Sequence, residues 1–225
     1  SITTQLTWPL VLSVMVIMIY MRIDQIMINT ILGAREVGLY SAASRLSEVW
    51  YFFPMIISNS LFPALVNAKE KNDELYNSRL KYLYAGMTWV SVVIAVVMTV
   101  ISPWLIDFLF GTEYVDAISV LRIHIWSGIF VFIGVAGSKW LVNEGLQKYF
   151  SIFTAVGAVL NLILNYFFIT KYGIAGAAIA TLVAQFFASY ALHILFDKTR
   201  PNFWRMTTSF LVVFTEVFAF LKRKS

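Results

Sequence analysis

Long apolar runs constrain the fold of this chain more than any other feature. A helix needs about 20 mostly apolar residues to cross a bilayer, and the chain contains six such segments in succession. The predicted helices are residues 6–32, 37–66, 82–110, 118–142, 149–169 and 174–196. Charged residues make up only 13% of the chain, against about 25% in a soluble domain. The sequence therefore predicts an all-α fold, a polytopic bundle of transmembrane helices.

The two ends of the chain differ from this pattern. The basic break DKTRPNFWR at residues 197–205 precedes a short apolar stretch, 206–221, which contains Glu216. We therefore expect residues 1–200 to form the six-helix bundle and residues 201–225 to be interfacial or an incomplete span. The chain begins with Ser1 and has no basic segment before its first apolar run. This start is not that of a signal peptide, so we expect a piece of a longer polypeptide.

Basic residues are concentrated in alternate connections between the predicted helices. Residues 67–81 carry four lysines and arginines, whereas the connection GTEYVDA at residues 111–117 carries none. The positive-inside rule then places residue 1 on the cytoplasmic side. Because the basic residues are spread between apolar runs, they favour contact with membrane lipid and no contact with nucleic acid.

Chemistry-bearing motifs are scarce. The chain has no cysteine and two histidines, His124 and His193, which lie too far apart to form a metal-ligand cluster in the sequence. There is no phosphate-binding glycine loop and no nucleophile with an evident base. We therefore expect no metal, no cofactor and no enzyme activity.

Four charged side chains interrupt the first two predicted helices. Arg22 and Asp24 lie in the first helix, and Arg45 and Glu48 in the second. Measured from Gly33 along the first helix and from Val37 along the second, Arg22 and Glu48 both lie at a depth of roughly 16 Å, and Asp24 and Arg45 at roughly 12–13 Å. Because Arg22 and Asp24 point about 200° apart around their helix, at most one of the two matched pairs can form.

These charges allow a structural and a functional interpretation. They are either ion pairs that hold the helices together, or part of a hydrated cationic cavity formed by Arg22, Arg45 and Arg122. Such a cavity would bind an anionic substrate, because the planar guanidinium suits phosphate. The full set of candidates is, for substrate binding, Arg22, Arg45, Arg122, Gln25 and Asn29, and, for ion coupling, Asp24 and Glu48.

The fifth and sixth helices each carry a stripe of period four. Gly157, Asn161 and Asn165 follow one face of the fifth, and a ladder of small residues follows the sixth at Gly176, Ala180, Ala184 and Ala188. Small residues allow helices to approach closely in lipid. The two faces are expected to pack together with the asparagines bonding across the contact. Alternatively, Asn161, Asn165 and Gln185 line a substrate cavity.

Three stretches of the chain resemble one protein family. Residues 22–54, RIDQIMINTILGAREVGLYSAASRLSEVWYFFP, with LFPAL at 61–65, are similar to the second half of Wzx-type polysaccharide flippases, which handle O-antigen and teichoic acid. LVNEGLQKYF at 141–150 and YGIAGAAIAT at 172–181 resemble the C-terminal part of the same proteins. They belong to the multidrug/oligosaccharidyl-lipid/polysaccharide exporter superfamily.

The resemblance implies a function for the chain. It implies a bacterial inner-membrane protein that flips undecaprenyl-diphosphate-linked oligosaccharide by alternating access, for cell-surface polysaccharide biosynthesis. The partner that it implies is a missing N-terminal bundle of the same polypeptide, with the substrate between the halves. Two other functions stay open: an ion-coupled multidrug or metabolite antiporter of the same superfamily, and a membrane-embedded glycosyltransferase or polymerase.

Overall fold

The computed structural model describes residues 22–211 and is helical through most of that range. Its helices are α1 (Ile23–Leu32), α2 (Ala34–Glu48), α3 (Phe52–Lys71), α4 (Asp73–Phe110), α5 (Ala117–His124), α6 (Ser127–Asn143), α7 (Gln147–Ser189) and α8 (200–211). Short 3₁₀ turns lie at Val49–Tyr51, Thr112–Tyr114 and Ala191–Leu195. Residues 22–211 contain no strand.

Four apolar stretches of the described residues are long enough to cross a membrane. They are Ala34–Lys71, Asp73–Phe110, Ala117–Asn143 and Gln147–Leu195. The prediction of an all-α membrane bundle is therefore confirmed. The first predicted helix, 6–32, is described only from residue 22 onward, so the count of six spans stays a prediction.

The longest of these stretches is a helical hairpin. Gly173 has φ +62°, a conformation that glycine adopts without a steric penalty. A methyl group on Gly157 would come within 2.6 Å of the Cβ of Ala188, and the amide of Asn161 donates to Thr181 Oγ1 at 3.4 Å. These contacts pair the two halves of α7 in antiparallel, and the second half ends at Ser189, before the predicted end at residue 196.

The polar stretch at residues 67–81 differs from the expected loop. It is helical apart from Asn72, whose side chain accepts a hydrogen bond from the backbone N–H of Glu74 at 2.7 Å and so caps α4. Tyr76 and Leu80 are buried because the apolar face of α4 continues beyond the membrane-length run. The amphipathic spacing of these residues is what makes the charged segment helical.

Residues 200–211 form α8, which packs on the bundle through the buried side chains of Asn202 and Met206. The expectation that residues 201–225 are interfacial or an incomplete span stays a prediction. The hydroxyl of Tyr84 in α4 donates to Asn202 Oδ1 at 2.7 Å. Residues 212–221 of the predicted short segment lie outside the described residues.

The interior is divided into two apolar clusters. One contains Tyr84, Phe132 and Trp140, and the other contains Ile28, Leu121 and Ile169. The second cluster also contains Tyr40, whose hydroxyl bonds the carboxylate of Asp24. Polar side chains from α1, α2, α5 and α7 gather beside this tyrosine.

Candidate functional site

Asp24 in α1 is the centre of the polar cluster. Its Oδ2 accepts hydrogen bonds from the hydroxyl of Tyr40 at 2.9 Å and from the hydroxyl of Thr181 at 3.0 Å. Its Oδ1 accepts from the side-chain amide of Asn165 at 2.7 Å. Donors from α2 and from both halves of α7 therefore converge on one carboxylate. Hydrogen bonds to an ionised carboxylate are about twice as strong as those between neutral groups.

The two asparagines of α7 extend this network. The amide of Asn165 also donates to Asn161 Oδ1 at 3.1 Å, and Asn161 in turn bonds Thr181. The side-chain oxygen of Asn165, Oδ1, is buried and has no hydrogen-bond partner among the described residues. The spacing of four residues places both side chains on one face of the helix. Two hydroxyl groups and one amide group therefore surround the Asp24 carboxylate.

A cavity of about 430 Å³ opens beside Asp24. Its walls are Asp24, Glu48, Tyr51, His124, Gly157, Asn161, Thr181, Ala184, Gln185 and Ala188. Two carboxylates face this space, and among its described walls there is no lysine or arginine. The cavity is therefore acidic and polar.

The wall opposite Asp24 is held by a chain of hydrogen bonds. His124 Nδ1 lies 3.0 Å from the Ser47 hydroxyl, and the Ser127 hydroxyl donates to the backbone carbonyl of His124 at 2.6 Å. The hydroxyl of Tyr51 lies 2.9 Å from Ser127. His124 is thus a buried, hydrogen-bonded helix histidine that also contacts the cavity.

The arginines expected to form a cationic cavity do not line this one. Arg22, which immediately precedes α1, and Arg45 in α2 are both exposed. Arg122 points toward α4, where its Nε donates to Ser102 Oγ at 3.0 Å and to the carbonyl of Thr99 at 3.3 Å. The walls of the cavity beside Asp24 carry two carboxylates instead, and a cationic cavity elsewhere stays a prediction. The substrate-binding roles of Arg22, Arg45 and Arg122 stay predictions.

Gln25 and Asn29, the polar neighbours of Arg22 on α1, also lie outside the cavity walls. Asn29 is exposed and Gln25 is partly exposed. At spacings of three and seven residues from Arg22, they lie on the same side of the helix as this arginine. Their assignment to substrate binding likewise stays a prediction.

Neither of the depth-matched charge pairs forms a contact. Within the described residues, no ion pair of 4.0 Å or less joins Arg22 to Glu48 or Asp24 to Arg45. Asp24 instead uses the hydroxyl and amide donors already described. The structural interpretation of these charges as direct ion pairs is therefore wrong.

The close packing expected of the asparagine stripe is present, and its role in a substrate cavity stays a prediction. Gly157 lies against Ala184 and Ala188, as expected for close packing of the two faces. At the same time Asn161 and Gln185 line the cavity. One helix face both packs against its neighbour and lines this cavity, because the small residues bring the helices together on either side of the polar ones.

Sequence reasoning missed Tyr40 and Thr181 as partners of Asp24. Thr181 ends the segment YGIAGAAIAT and lies 157 residues from Asp24 along the chain, so no local spacing connects them. The asparagine stripe was the one available signal. This stripe predicted a polar contact between the fifth and sixth helices. It did not predict that the asparagines would also contact the carboxylate of Asp24.

Comparison with known proteins identifies relatives of this chain. The sequence profile of the MatE family matches residues 9–167, which is most of the chain. No solved structure matches the chain significantly.

Three relatives cover similar parts of the chain. "Probable low-salt glycan biosynthesis flippase Agl15" of Haloferax volcanii is 28% identical over 77% of this chain and 37% of its own length. "Putative O-antigen transporter" of Shigella flexneri is 24% identical over 81% of this chain and 43% of its own. "Capsular polysaccharide biosynthesis protein CapF" of Staphylococcus aureus is 22% identical over 86% and 49%. The chain thus spans less than half the length of each of these relatives.

Proposed function

This chain belongs to the MatE family, and we propose that it is one half of a transporter that flips a lipid-linked oligosaccharide across the membrane. The names of its relatives support this proposal, since they refer to glycan flipping, O-antigen transport and capsular polysaccharide synthesis. The substrate would be an oligosaccharide on undecaprenyl diphosphate. The protein would lie in the inner membrane of a bacterium and pair this bundle with an N-terminal bundle of the same polypeptide.

Asp24 is the residue that would couple flipping to an ion gradient. A carboxylate inside an apolar bundle is costly and is usually tied to function. Here it binds α1 to α2 and to both halves of α7 through three donors. A cation or proton that binds Asp24 competes with those donors. Occupancy of the site would then change how tightly α1 is held by its neighbours, and such a change can bias a transporter between its two states.

Glu48 would supply the second negative charge of the same cavity. It contacts the space from the end of α2, and the described residues give it no hydrogen bond of its own. A cation at Asp24 would be attracted by both carboxylates. We therefore assign ion coupling to the pair, with Asp24 as the ligand and Glu48 as the auxiliary charge.

The experiment that tests flipping uses cells that depend on the complete protein for their surface polysaccharide. Loss of the protein should leave lipid-linked oligosaccharide on the cytoplasmic side of the membrane, inaccessible to a glycan-binding probe added outside. Exposure of the oligosaccharide in such cells at the normal level would refute the proposal. The variants Arg22→Ala and Arg45→Ala test the proposed substrate-binding role, and normal polysaccharide in both would remove these arginines from it.

The coupling role is tested by Asp24→Asn in the complete protein. We expect surface polysaccharide to fall to background while the protein level stays normal, because the amide cannot hold a cation as a carboxylate does. Asp107→Asn is the matched control, since Asp107 is also a carboxylate in an apolar helix but is exposed outside this cavity. Full polysaccharide in Asp24→Asn cells would refute coupling at this residue.

A second candidate function is ion-coupled export of a cationic compound. The acidic walls of the cavity favour it, because two carboxylates attract a cationic drug or metabolite. Efflux of a cationic dye, driven by a sodium or proton gradient and lost in Glu48→Gln, would support this alternative. A complete protein that moves no such dye would exclude it.

A further inference from the structure

A groove between the middle of α3 and the first third of α4 has a different character from the acidic cavity. Its volume is about 370 Å³, and its walls are Leu61, Ala64, Leu65, Arg79, Tyr82 and Leu83. Leucine and alanine side chains form most of its surface, and a single arginine stands at one end. No carboxylate is among its described walls.

Arg79 is held in place without being neutralised. One N–H of its guanidinium, at Nη1, donates to the backbone carbonyl of Ala64 at 2.6 Å. Within the described residues it takes part in no ion pair, and its side chain is exposed. A guanidinium has five N–H donors in a fixed planar arrangement. The bond to Ala64 therefore orients the group and leaves four donors for a ligand.

The length of α4 gives the depth of this groove in a bilayer. Trp104 is 66% exposed near the other end of α4, where an aromatic side chain marks a membrane interface. Leu83 precedes it by 21 residues, or about 31 Å of helix. This matches a hydrocarbon thickness of about 30 Å. Arg79 lies about 6 Å beyond Leu83 on the same rise, at the level of the lipid phosphates.

We propose that this groove binds one anionic phospholipid of the cytoplasmic leaflet. Its phosphate would accept hydrogen bonds from the free donors of Arg79, and an acyl chain would lie along Leu61, Leu65 and Leu83. The cytoplasmic side follows from the basic residues that flank the groove at 67–81. Basic pockets between helices on that side are typical sites for anionic headgroups.

The single cation selects a phospholipid over the lipid carrier of the proposed transport substrate. A phosphodiester carries one negative charge, which one guanidinium balances. A polyprenyl diphosphate carries more negative charge and would need a second cation. The groove offers none among its described walls. The inference therefore does not depend on the proposed flipping activity.

Thermal unfolding of the complete purified protein tests the proposal. A ligand that binds the folded state but not the unfolded one raises Tm, and a tighter ligand raises it more, so phosphatidylglycerol added to the micelles should raise Tm more than phosphatidylcholine does. We expect Arg79→Gln to lose more than half of this difference. Lys71→Gln is the matched control, because Lys71 is an exposed cation of the same polar stretch outside the groove, and it should keep the full difference.

Leu61→Trp tests the apolar part of the groove separately from the charge of Arg79. Leu61 is 45% exposed, so a larger side chain fits without disturbing the core but narrows the space for an acyl chain. We expect this variant to lose most of the difference between the two lipids even though Arg79 is intact. An unchanged difference would mean that charge alone attracts the lipid, and the groove would be rejected as a site.

Two further results would overturn the proposal. Arg79→Gln could lower Tm equally in both lipids and leave the difference between them unchanged. Arg79 would then stabilise the fold through its bond with the Ala64 carbonyl and would not bind lipid. Alternatively, native mass spectrometry could find a polyprenyl phosphate, and not a phospholipid, as the lipid that native protein retains and Arg79→Gln loses. Retention of one phosphatidylglycerol by native protein and by Lys71→Gln, with loss in Arg79→Gln, supports the site.

Discussion

Removal of the Tyr40 hydroxyl tests whether Asp24 is a charged centre of the bundle. Tyr40→Phe deletes one of the three donors to the carboxylate and leaves Thr181 and Asn165 in place. The phenylalanine ring occupies the same volume and keeps the edge contact with His124, whose ring centroid lies 6.2 Å away. The change is therefore confined to one hydrogen bond.

The expected cost depends on the charge of the acceptor. A hydrogen bond to an ionised group contributes about 1.5–3 kcal/mol to stability, and one between neutral groups about 0.5–1.5 kcal/mol. Tyr40→Phe should thus destabilise the native protein by about 2 kcal/mol. In an Asp24→Asn background, where the acceptor is neutral, the same change should cost about 1 kcal/mol. The coupling energy between the two substitutions is the difference, about 1 kcal/mol.

The assay is a double-mutant cycle on the free energy of unfolding of the complete protein in micelles. Tyr84→Phe combined with Asp24→Asn is the control cycle, because Tyr84 bonds the neutral amide of Asn202 elsewhere in the bundle. Independent sites are additive within about 0.3–0.5 kcal/mol. A coupling energy for Tyr40 and Asp24 no larger than that of the control cycle would refute the charged acceptor.

Two packing predictions follow from the hairpin and from α8. In a denaturant titration, Gly176→Ala should destabilise the protein by about 1–3 kcal/mol, because the added methyl group would collide with the backbone carbonyl of Phe168. Gly86→Ala is the control. A methyl group there would meet nothing within 4 Å, so this change should be neutral or slightly stabilising. Met206→Ala should lower the free energy of unfolding by about 2–5 kcal/mol, because this side chain is fully buried. Trp204 is 55% exposed on the same helix, so Trp204→Ala should change the free energy of unfolding far less. Equal effects of the two substitutions would mean that α8 does not pack on the bundle.

Hydrophobic length predicted most of the fold but not where its helices end. The apolar runs predicted an all-α membrane bundle, which the described residues confirm, but not the 3₁₀ turn Val49–Tyr51 that separates α2 from α3. The polar stretch 67–81 was interpreted as a loop because its charges obscure the buried positions Tyr76 and Leu80. Composition reports whether a segment suits lipid, whereas helix formation in water depends on amphipathic spacing and caps.

The candidate site was predicted in part, for a reason that concerns sequence distance. Asp24 was identified because a charge in an apolar helix is conspicuous by itself. Its donors Asn165 and Thr181 lie 141 and 157 residues away, and only the folding of the hairpin at Gly173 brings both to α1. Matching charges by depth paired Asp24 with Arg45 because it considered two helices alone. Hydroxyl and amide donors from a third element replaced the arginine.

The acidic cavity has a consequence for where an anionic substrate can bind. Asp24 and Glu48 both face this space, and each would repel a diphosphate. If the proposed function holds, the lipid carrier must bind outside the cavity, where Arg22, which immediately precedes α1, and Arg45 in α2 are exposed cations. A cation bound between Asp24 and Glu48 would offset this repulsion, so the proposed ion binding would favour an anionic substrate at these arginines.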